Sequence, residues 1–406
     1  MKIGIIGAGA SGMVAAIAAA DDPRNEVLLF ERQARVGRKL LATGNGRCNL
    51  SHWNAGVENY HGSMPGFVEP ALKAMDVSDT LHFFRGLGLY TVAENSGRIY
   101  PYSDQANSVV DVLRFALERP NIRLLCGKEI SSVKKTKEGF ALRAQDERFD
   151  VDRLVIACGG AAGTKLGGGL SGYQLLRSLG HHCTRLYPSL VQLKTETDPI
   201  KGLKGVRANA GIELRCKDSV LARSRGEVQF TEYGVSGPAI FDLSRVAATA
   251  PEGSTLHMDL LPELTADRLL TALCLRIVRL PNLSCADLLT GILHNRLGRV
   301  VLRSVGIPET LPLHALHWVQ LAALSEAVHD FTQTLTGTMG MDGAQVTAGG
   351  AEVREFEPET LESRIVPGLY ACGEVLDVDG DCGGYNLQWA WSSGHLAGKS
   401  AGGAKA

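Results

Sequence analysis

The stretch Lys2-Ile3-Gly4-Ile5-Ile6-Gly7-Ala8-Gly9-Ala10-Ser11-Gly12 decides how the chain folds. Residues 3–6 are a short apolar run of strand character, and residues 11–20 are a small-residue segment of helical character. Between them Gly7-x-Gly9-x-x-Gly12 has the spacing of a dinucleotide-binding turn. The first glycine allows the bend, the second lets backbone approach a pyrophosphate, and the third lets helix and strand pack closely. The start of the helix then offers free N–H groups and partial positive charge to phosphate. Residues 26–30 read as a second strand, closed by Glu31, whose carboxylate is placed to accept from ribose hydroxyls. A G-x-G-x-x-G alone is weak evidence. Strand, helix and acid together predict a βαβ dinucleotide site, with Gly7, Ala8, Gly9, Ala10, Ser11, Gly12, Glu31 and Arg32 against the ligand.

Working outward, residues 108–117 carry Val109, Val112, Leu113 and Ala116 at helical spacing. Residues 122–125 and 154–157 read as buried strands. Near residue 192 the pattern changes to polar–apolar alternation, as in Gly211-Ile212-Glu213-Leu214-Arg215 and Glu227-Val228-Gln229-Phe230-Thr231. That alternation predicts a half-exposed antiparallel sheet. Residues 262–334 read as helical: Ser284 with Asp287 resembles a capping box, and Leu288, Leu289, Ile292, Leu293, Leu297 and Val301 follow at helical spacing. The expected architecture is α/β, a Rossmann-like domain of residues 1–191 and 345–406. An insert of residues 192–344 interrupts it, β-rich over 192–261 and helical over 262–334.

A second ligand signal lies near the other end. Pro367-Gly-Leu-Tyr-Ala-Cys-Gly373-Glu374 is an apolar strand ending in glycine and an acid, and Gly383-Gly384-Tyr385-Asn386-Leu387-Gln388 opens a helix. A strand end and a helix start of this kind suit the ribityl chain and the N1–C2=O side of a flavin, so FAD is expected rather than NAD. Asp377, Asp379 and Asp381 lack the distal glutamate and spacing of a calcium loop, and no metal is expected. Gly167-x-Gly169-x-x-Gly172 repeats the fingerprint, but no strand feeds it directly, so a separate NAD(P)H domain is not expected. NADH or NADPH is expected as a transient electron donor.

The chain of 406 residues has a formal net charge of −1, which excludes a polyelectrolyte-type binder as a whole. Nine dispersed cysteines without C-x-x-C pairs fit free thiols in a reducing compartment. With no apolar run of membrane-spanning length, the protein is expected to be soluble and cytoplasmic.

Four motifs are highly distinctive. They are Gly37-Arg38-Lys39-Leu40-Leu41-Ala42-Thr43-Gly44-Asn45-Gly46-Arg47-Cys48-Asn49, Gly97-Arg98-Ile99-Tyr100-Pro101, Phe230-Thr231-x-x-Gly234-x-Ser236-Gly237-Pro238, and Gly383-Gly384-Tyr385-Asn386-Leu387-Gln388-Trp389-Ala390. In this order, across nearly the whole chain, they resemble the bacterial BaiN/RdsA-type flavoproteins, which include aminoacetone-oxidase-like enzymes. The resemblance implies a Rossmann-like FAD domain with a β-barrel-like insert carrying a helical subdomain. It implies that Arg38 and Lys39 lie near the cofactor phosphates and that Asn45, Gly46, Arg47, Cys48 and Asn49 lie beside the flavin. Ile130, Cys158, Gly159, Gly160, Gly373, Glu374, Gly384, Tyr385, Asn386 and Leu387 complete the expected cofactor set. The loop after Gly160 departs from the family pattern: Leu170-Ser171-Gly172-Tyr173 stands where relatives often carry Gly-Asp-Gly-Tyr, so a contact from that aspartate is not expected here.

Cys48 is the candidate proton donor, because Arg47 and the glycine turn beside it are expected to lower its pKa. The alternative is a small packing residue. His181-His182-Cys183 lacks further ligands at metal spacing and reads as a strand edge. Between residues 194 and 225 eight basic residues face four acidic ones, which is compatible with an RNA-binding surface or with an ordinary solvated face. The expected activity is an FAD-dependent reductase passing hydride from a nicotinamide to a conjugated C=C of a small molecule, or of uridine in ribosomal RNA. A flavin amine oxidase using oxygen and an RNA-associated protein with structural FAD are the alternatives.

Overall fold

The computed structural model describes residues 1–403. Two compact units divide it: residues 1–187 together with the chain from Ala344 onward, and residues 188–343 between them.

The first unit is built on a parallel sheet. Its elements are β1 (Lys2–Ile6), α1 (Ala10–Ala19), β2 (Glu26–Glu31), α2 (Ala106–Ala116), β3 (Ile122–Cys126), β4 (Arg153–Ile156), β5 (Leu369–Ala371) and α3 (Tyr385–Ala401). The strand order is β5-β4-β1-β2-β3, all parallel, with Ile5 registered on Val155 and on Leu29. Ile3, Ile5, Leu28, Leu29, Leu154 and Val155 are fully buried, because a parallel sheet covered on both faces needs apolar residues at nearly every position. An antiparallel meander of Ser132–Lys135, Phe140–Ala144 and Glu147–Val151 lies beside it, with Phe149 edge-on to Phe30 at 5.0 Å.

Helix α3 packs along α1 closely enough that backbone meets backbone. A Cβ on Gly394 would overlap Ser11 O, and one on Gly398 would overlap Ala15 O. The glycines that weaken α3 as an isolated helix are therefore what lets it dock. Asn25 fastens the far end, its Nδ2 donating to Ala19 O and Gly402 O at 3.0 Å each.

The second unit holds a closed antiparallel barrel in the order Leu193–Thr195, Gly234–Ser236, Ser219–Phe230, Arg207–Cys216, Thr255–Asp259, Phe331–Thr338. The alternation read from the sequence sends Ile212, Leu214, Val228 and Phe230 inward. The helix Pro238–Ala247 and helices Ala266–Arg279, Asn295–Ser304 and Trp318–His329 share that core through Ile240, Leu243, Leu269, Leu273, Leu297, Val301 and Leu324.

Two local expectations are corrected. The helix expected to run on from Ser284 is broken: Ser284 caps only the single turn Cys285–Asp287, Gly291 turns the chain at φ 81°, and the helix begins at Asn295. Leu288 and Leu289 are buried from a turn, so helical spacing was coincident with burial but not with helix. His181 is not at a strand edge. It is buried, stacked on Phe356, with Nδ1 2.8 Å from Glu355 and Nε2 2.9 Å from the Ser363 hydroxyl. Only Cys183 makes an isolated bridge, to Ala351.

Candidate functional site

The first glycine turn lies at the carboxyl end of β1, where an open parallel sheet presents its crevice. Gly7 adopts φ 105°, and a Cβ there would strike the Ala157 carbonyl. A Cβ on Gly12 would overlap Gly7 O, whereas one on Gly9 would meet nothing within 4 Å. Two of the three glycines thus serve the fold, and Gly9 leaves a backbone cradle open at the start of α1. Ala8 N donates to Glu31 Oε2 at 2.9 Å and Gln33 N to Oε1 at 2.8 Å, which fixes the carboxylate at the rim of that cradle. Arg32 is held by the Gly167 and Gly168 carbonyls, so the second glycine-rich loop folds around its guanidinium. That loop leads into the helix Ser171–Ser178 without a strand before it.

The turn from Thr43 to Asn49 is irregular because Asn45 and Cys48 both occupy the left-handed region, at φ 55° and 60°. Such backbone costs energy for non-glycine residues and concentrates at sites where geometry is imposed. Cys48 N donates to Thr43 O at 3.0 Å and Arg47 N to Gly44 O at 3.1 Å. Arg47 itself turns away: it pairs with Asp104 and Glu94 and lies 4.0 Å over the Tyr100 ring. The Cys48 side chain has no exposed surface, and burial pushes its thiol up to about 12. The expected lowering of its pKa by Arg47 is overturned. Desolvation outweighs a cation that is already engaged elsewhere. Asn49 Oδ1 is buried without a hydrogen-bond donor and faces the position of Gly384.

The second motif closes on the first from the opposite side of the sheet's rim. Lys39 Nζ lies 2.7 Å from Glu374 Oε2 and 3.0 Å from Oε1, and Thr347 N donates to the same carboxylate at 2.9 Å. Gly160 has no room for a side chain because Glu374 and Thr347 occupy its Cβ direction. Gly159 beside it opens onto free space. Gly384 precedes α3 at φ 104°, and a Cβ there would stand 2.5 Å from Ser51 O. Asn386 holds the bend, Oδ1 accepting from Gly380 N and Nδ2 donating to Gly380 O, each at 2.8 Å. Tyr385 is stacked on His52 at 4.8 Å. Leu387 is half-buried on the first turn of α3.

Arg38 is exposed and donates to Gln33 Oε1 at 3.0 Å. Ile130 is buried, and the Cys158 thiol donates to Ile6 O at 3.4 Å. Of the three aspartates, Asp377 and Asp379 are buried, with Asp377 accepting from Ser63 N at 3.1 Å, so the segment is not a solvated loop. Among the described residues no group of three acidic, histidine or cysteine side chains is arranged for a metal. Two hydrogen-bonding partners of Glu374 and Gly373 that the sequence reading did not single out are Thr347 and Ser393. Ser393 Oγ accepts from Gly373 N and Trp389 Nε1 donates to Gly373 O. Trp389 lies within the Gly383–Ala390 motif and Ser393 one turn further along the same helix, whereas no local motif signals Thr347.

A model of the HI0933-like protein Rossmann domain matches residues 1–400. The chain belongs to the HI0933-like family. A 3-dehydro-bile acid delta(4,6)-reductase of Clostridium scindens is 43% identical over 404 residues, covering 98% of either chain. A ribosomal RNA dihydrouridine synthase of Escherichia coli is 32% identical over 394 residues, 96% of this chain and 95% of that one. A solved 3-ketosteroid delta1-dehydrogenase of Sterolibacterium denitrificans has the same fold, with a TM-score of 0.52 at 11% identity over 99% of both chains. Within the HI0933-like family the chain is an FAD-dependent oxidoreductase. No helix among the described residues is long and apolar enough to cross a membrane.

The chemistry of the site fits FAD. Gly9 leaves a cradle that backbone N–H groups line, Glu31 stands fixed at its rim, and the orphaned Asn49 Oδ1 calls for a donor of the kind a flavin ring N–H provides.

Proposed function

We propose that the chain is a NAD(P)H-dependent reductase of a conjugated C=C in a small molecule, with FAD held in the first unit and the barrel unit as its insert. The observation that carries this reading is the 43% identity, across 98% of both chains, to a reductase of that bond type. In this reading Gly7 to Gly12 and the start of α1 hold the pyrophosphate, and Glu31 the ribose. Lys39 and Glu374 position the ribityl side, while Asn49 and the start of α3 from Gly384 hold the ring. When bound, FAD supplies two-electron hydride transfer. The protein's own work is to orient the acceptor, exclude water and hold a proton for the second carbon.

A second reading, reduction of uridine in ribosomal RNA, is favoured by the dihydrouridine synthase relative. Against it, Lys204, Arg207, Arg215, Arg223 and Arg225 are paired with Glu232, Glu227, Glu213 and Glu263. Charge already neutralised on the protein releases little counterion on binding phosphate. Neither an amine oxidase nor a structural-FAD role has a specific observation in its favour.

Anaerobic mixing with NADH, NADPH and an amine tests the donor through loss of flavin absorbance. Reoxidation is then followed with a 3-dehydro-delta(4,6) bile acid and, separately, with unmodified ribosomal RNA. Bleaching by a nicotinamide followed by reoxidation with the bile acid is expected. Bleaching by the amine alone would overturn the reductase reading.

A further inference from the structure

The helix Ala266–Arg279 carries two apolar stripes where its place in the fold uses one. Leu269 and Leu273 are fully buried and, with the partly buried Ile277, join the core of the second unit. One such stripe is enough to dock a surface helix. Leu270, Cys274, Leu275 and Val278 form the second, and with Trp318 they line an open groove of about 490 Å³. The start of the helix Trp318–His329 is held close to the end of the first helix, because His314 N donates to Pro281 O at 2.9 Å. Leu275, Val278, Leu280, Trp318 and Val319 therefore lie near one another, and each is more than half exposed.

Apolar side chains of this size and number leave on the order of 600 Å² in contact with water, the upper end for the largest patch on a monomer. With a polar rim such a surface approaches the roughly 800 Å² per partner of a standard interface. The charges along the groove match their own inverted order. Asp267 lies in the first turn of the helix and Arg279 in the last, both exposed. Neither makes an ion pair among the described residues. Arg276 between them is already held by the Leu288 and Thr290 carbonyls, at 2.6 and 2.7 Å. An antiparallel copy of the helix sets Asp267 beside Arg279, and Arg279 beside Asp267, while Leu270 meets Leu275 between them. Helix dipoles laid antiparallel attract as well. A small apolar ligand suits the groove less: it stands open, and its polar lining, Asp267 and Thr271, is itself exposed rather than converging in an enclosed pocket.

We propose that this groove is a self-association surface, on which a second copy of the chain packs its own helix Ala266–Arg279 in antiparallel order. The twofold axis crosses the helix at the level of Leu273, midway between Asp267 and Arg279. Such an interface is isologous, so every contact occurs twice. Two Asp267–Arg279 pairs at the rim flank an apolar centre of Leu270, Leu275, Val278 and Trp318. The apolar centre supplies the affinity. The rim charges fix the register and exclude a parallel arrangement, which would bring like charges together. The inference stands on the second unit alone and does not depend on the reductase reading.

Sedimentation equilibrium of the FAD-loaded full chain across micromolar concentrations tests this, with the parent expected at twice the mass of one chain. Val278→Glu puts charge into the apolar centre and should raise the dissociation constant of the dimer by roughly 10²-fold. FAD content and melting temperature should not change, because Val278 is exposed in the single chain and glutamate suits a helix. Should Val278→Glu melt early, Trp318→Gln reads the same centre. Asp267→Arg and Arg279→Asp should each weaken the dimer by roughly tenfold, and the double variant should return to within a few-fold of the parent. A parent that stays monomeric overturns the proposal, as does a dimer that both Val278→Glu and Trp318→Gln leave intact. A double variant no stronger than the single ones overturns the antiparallel order and the proposal with it. A monomer whose fluorescence a 3-dehydro-delta(4,6) bile acid quenches, with the quench lost in Trp318→Gln, gives the groove to a small ligand instead.

Discussion

Lys39 Nζ sits 2.7 Å from Glu374 Oε2, across 335 residues of sequence, with both side chains mostly buried. This pair joins two motifs that lie far apart in the sequence. Lys39→Met would leave Glu374 with the Thr347 N–H and no cation, an uncompensated, partly buried charge. Breaking a partly buried pair in this way costs on the order of 1–3 kcal/mol. FAD retention through gel filtration should fall in Lys39→Met, and a double variant Lys39→Met/Glu374→Gln should recover part of it. Equal retention in all three proteins would show that the pair does not shape the site.

The glycine turn separates fold from ligand. Gly9→Val adds atoms only to open space, so the apoprotein should keep its circular dichroism and melting temperature but lose FAD. Gly12→Val drives a side chain into the Gly7 carbonyl, and it should express poorly or melt early whatever FAD is supplied. If Gly9→Val retained FAD at parental stoichiometry, the pyrophosphate would have to lie elsewhere.

Cys48→Ala tests the buried thiol. Removing an enclosed side chain costs about 0.5–3 kcal/mol, so the melting temperature should drop by a few degrees. Because Sγ has no exposed surface and its thiol is pushed up to about 12, turnover should stay within a few-fold of the parent. A loss near 10²-fold with bleaching unchanged would restore it as proton donor.

Acid should weaken the first unit through His181. Burial holds this imidazole below its ordinary value despite Glu355, so the unfolded chain binds the proton first as pH falls. Stability is therefore full above about 6.5, the ordinary histidine value, and declines as pH drops below it. Glu355 is held below the usual carboxylate range and adds a loss of the same sign at lower pH. Melting temperatures from pH 8 to 5 should fall, and His181→Gln should flatten part of the decline. His52 and His395 are depressed in the same direction and account for the remainder.

The RNA reading is tested on the cations that lack acidic partners. Reversing Lys204 or Arg207 would set glutamate against Glu232 or Glu227 and disturb the barrel itself. Lys194, Lys201 and Lys217 are exposed and make no salt bridge among the described residues, so Lys194→Glu/Lys201→Glu/Lys217→Glu changes the surface without that strain. Little effect on RNA affinity, and a shallow salt dependence in the parent, are expected. A steep salt slope that the triple variant reduces by about one unit per phosphate contact would revive the ribosomal substrate.

Much of the Rossmann half was legible because its signals are local. Strand, glycine turn, helix and Glu31 lie within one βαβ unit, and each glycine answers to a single geometric need. The alternation of the barrel strands was legible for the same reason, since period 2 is written residue by residue. What the sequence hid were relationships between distant segments. Arg47 stands next to Cys48 in sequence, yet its charge is spent on Glu94 and Asp104. His61 and Asp381 are 320 residues apart, and the pairing of two short strands, His61 opposite Asp379, brings their side chains together. The helix misread after Ser284 failed for another reason: buried leucines recur at similar spacing in tight turns, and Gly291 was the punctuation that mattered.

Helix α3 and strand β5 carry a consequence for the order of assembly. The edge of the sheet beside β4 and the groove along α1 are filled by residues that follow the whole barrel unit in sequence, so they are made after it. A nascent chain can complete β1, α1 and β2 early, yet it must leave the small-residue face of α1 bare until Gly394 and Gly398 arrive. Pairings so distant in sequence form slowly and expose apolar surface while they wait. A ribosome that stalls before α3 would release a chain whose glycine turn has its normal sequence while the face of α1 that Gly394 and Gly398 cover stays open to solvent.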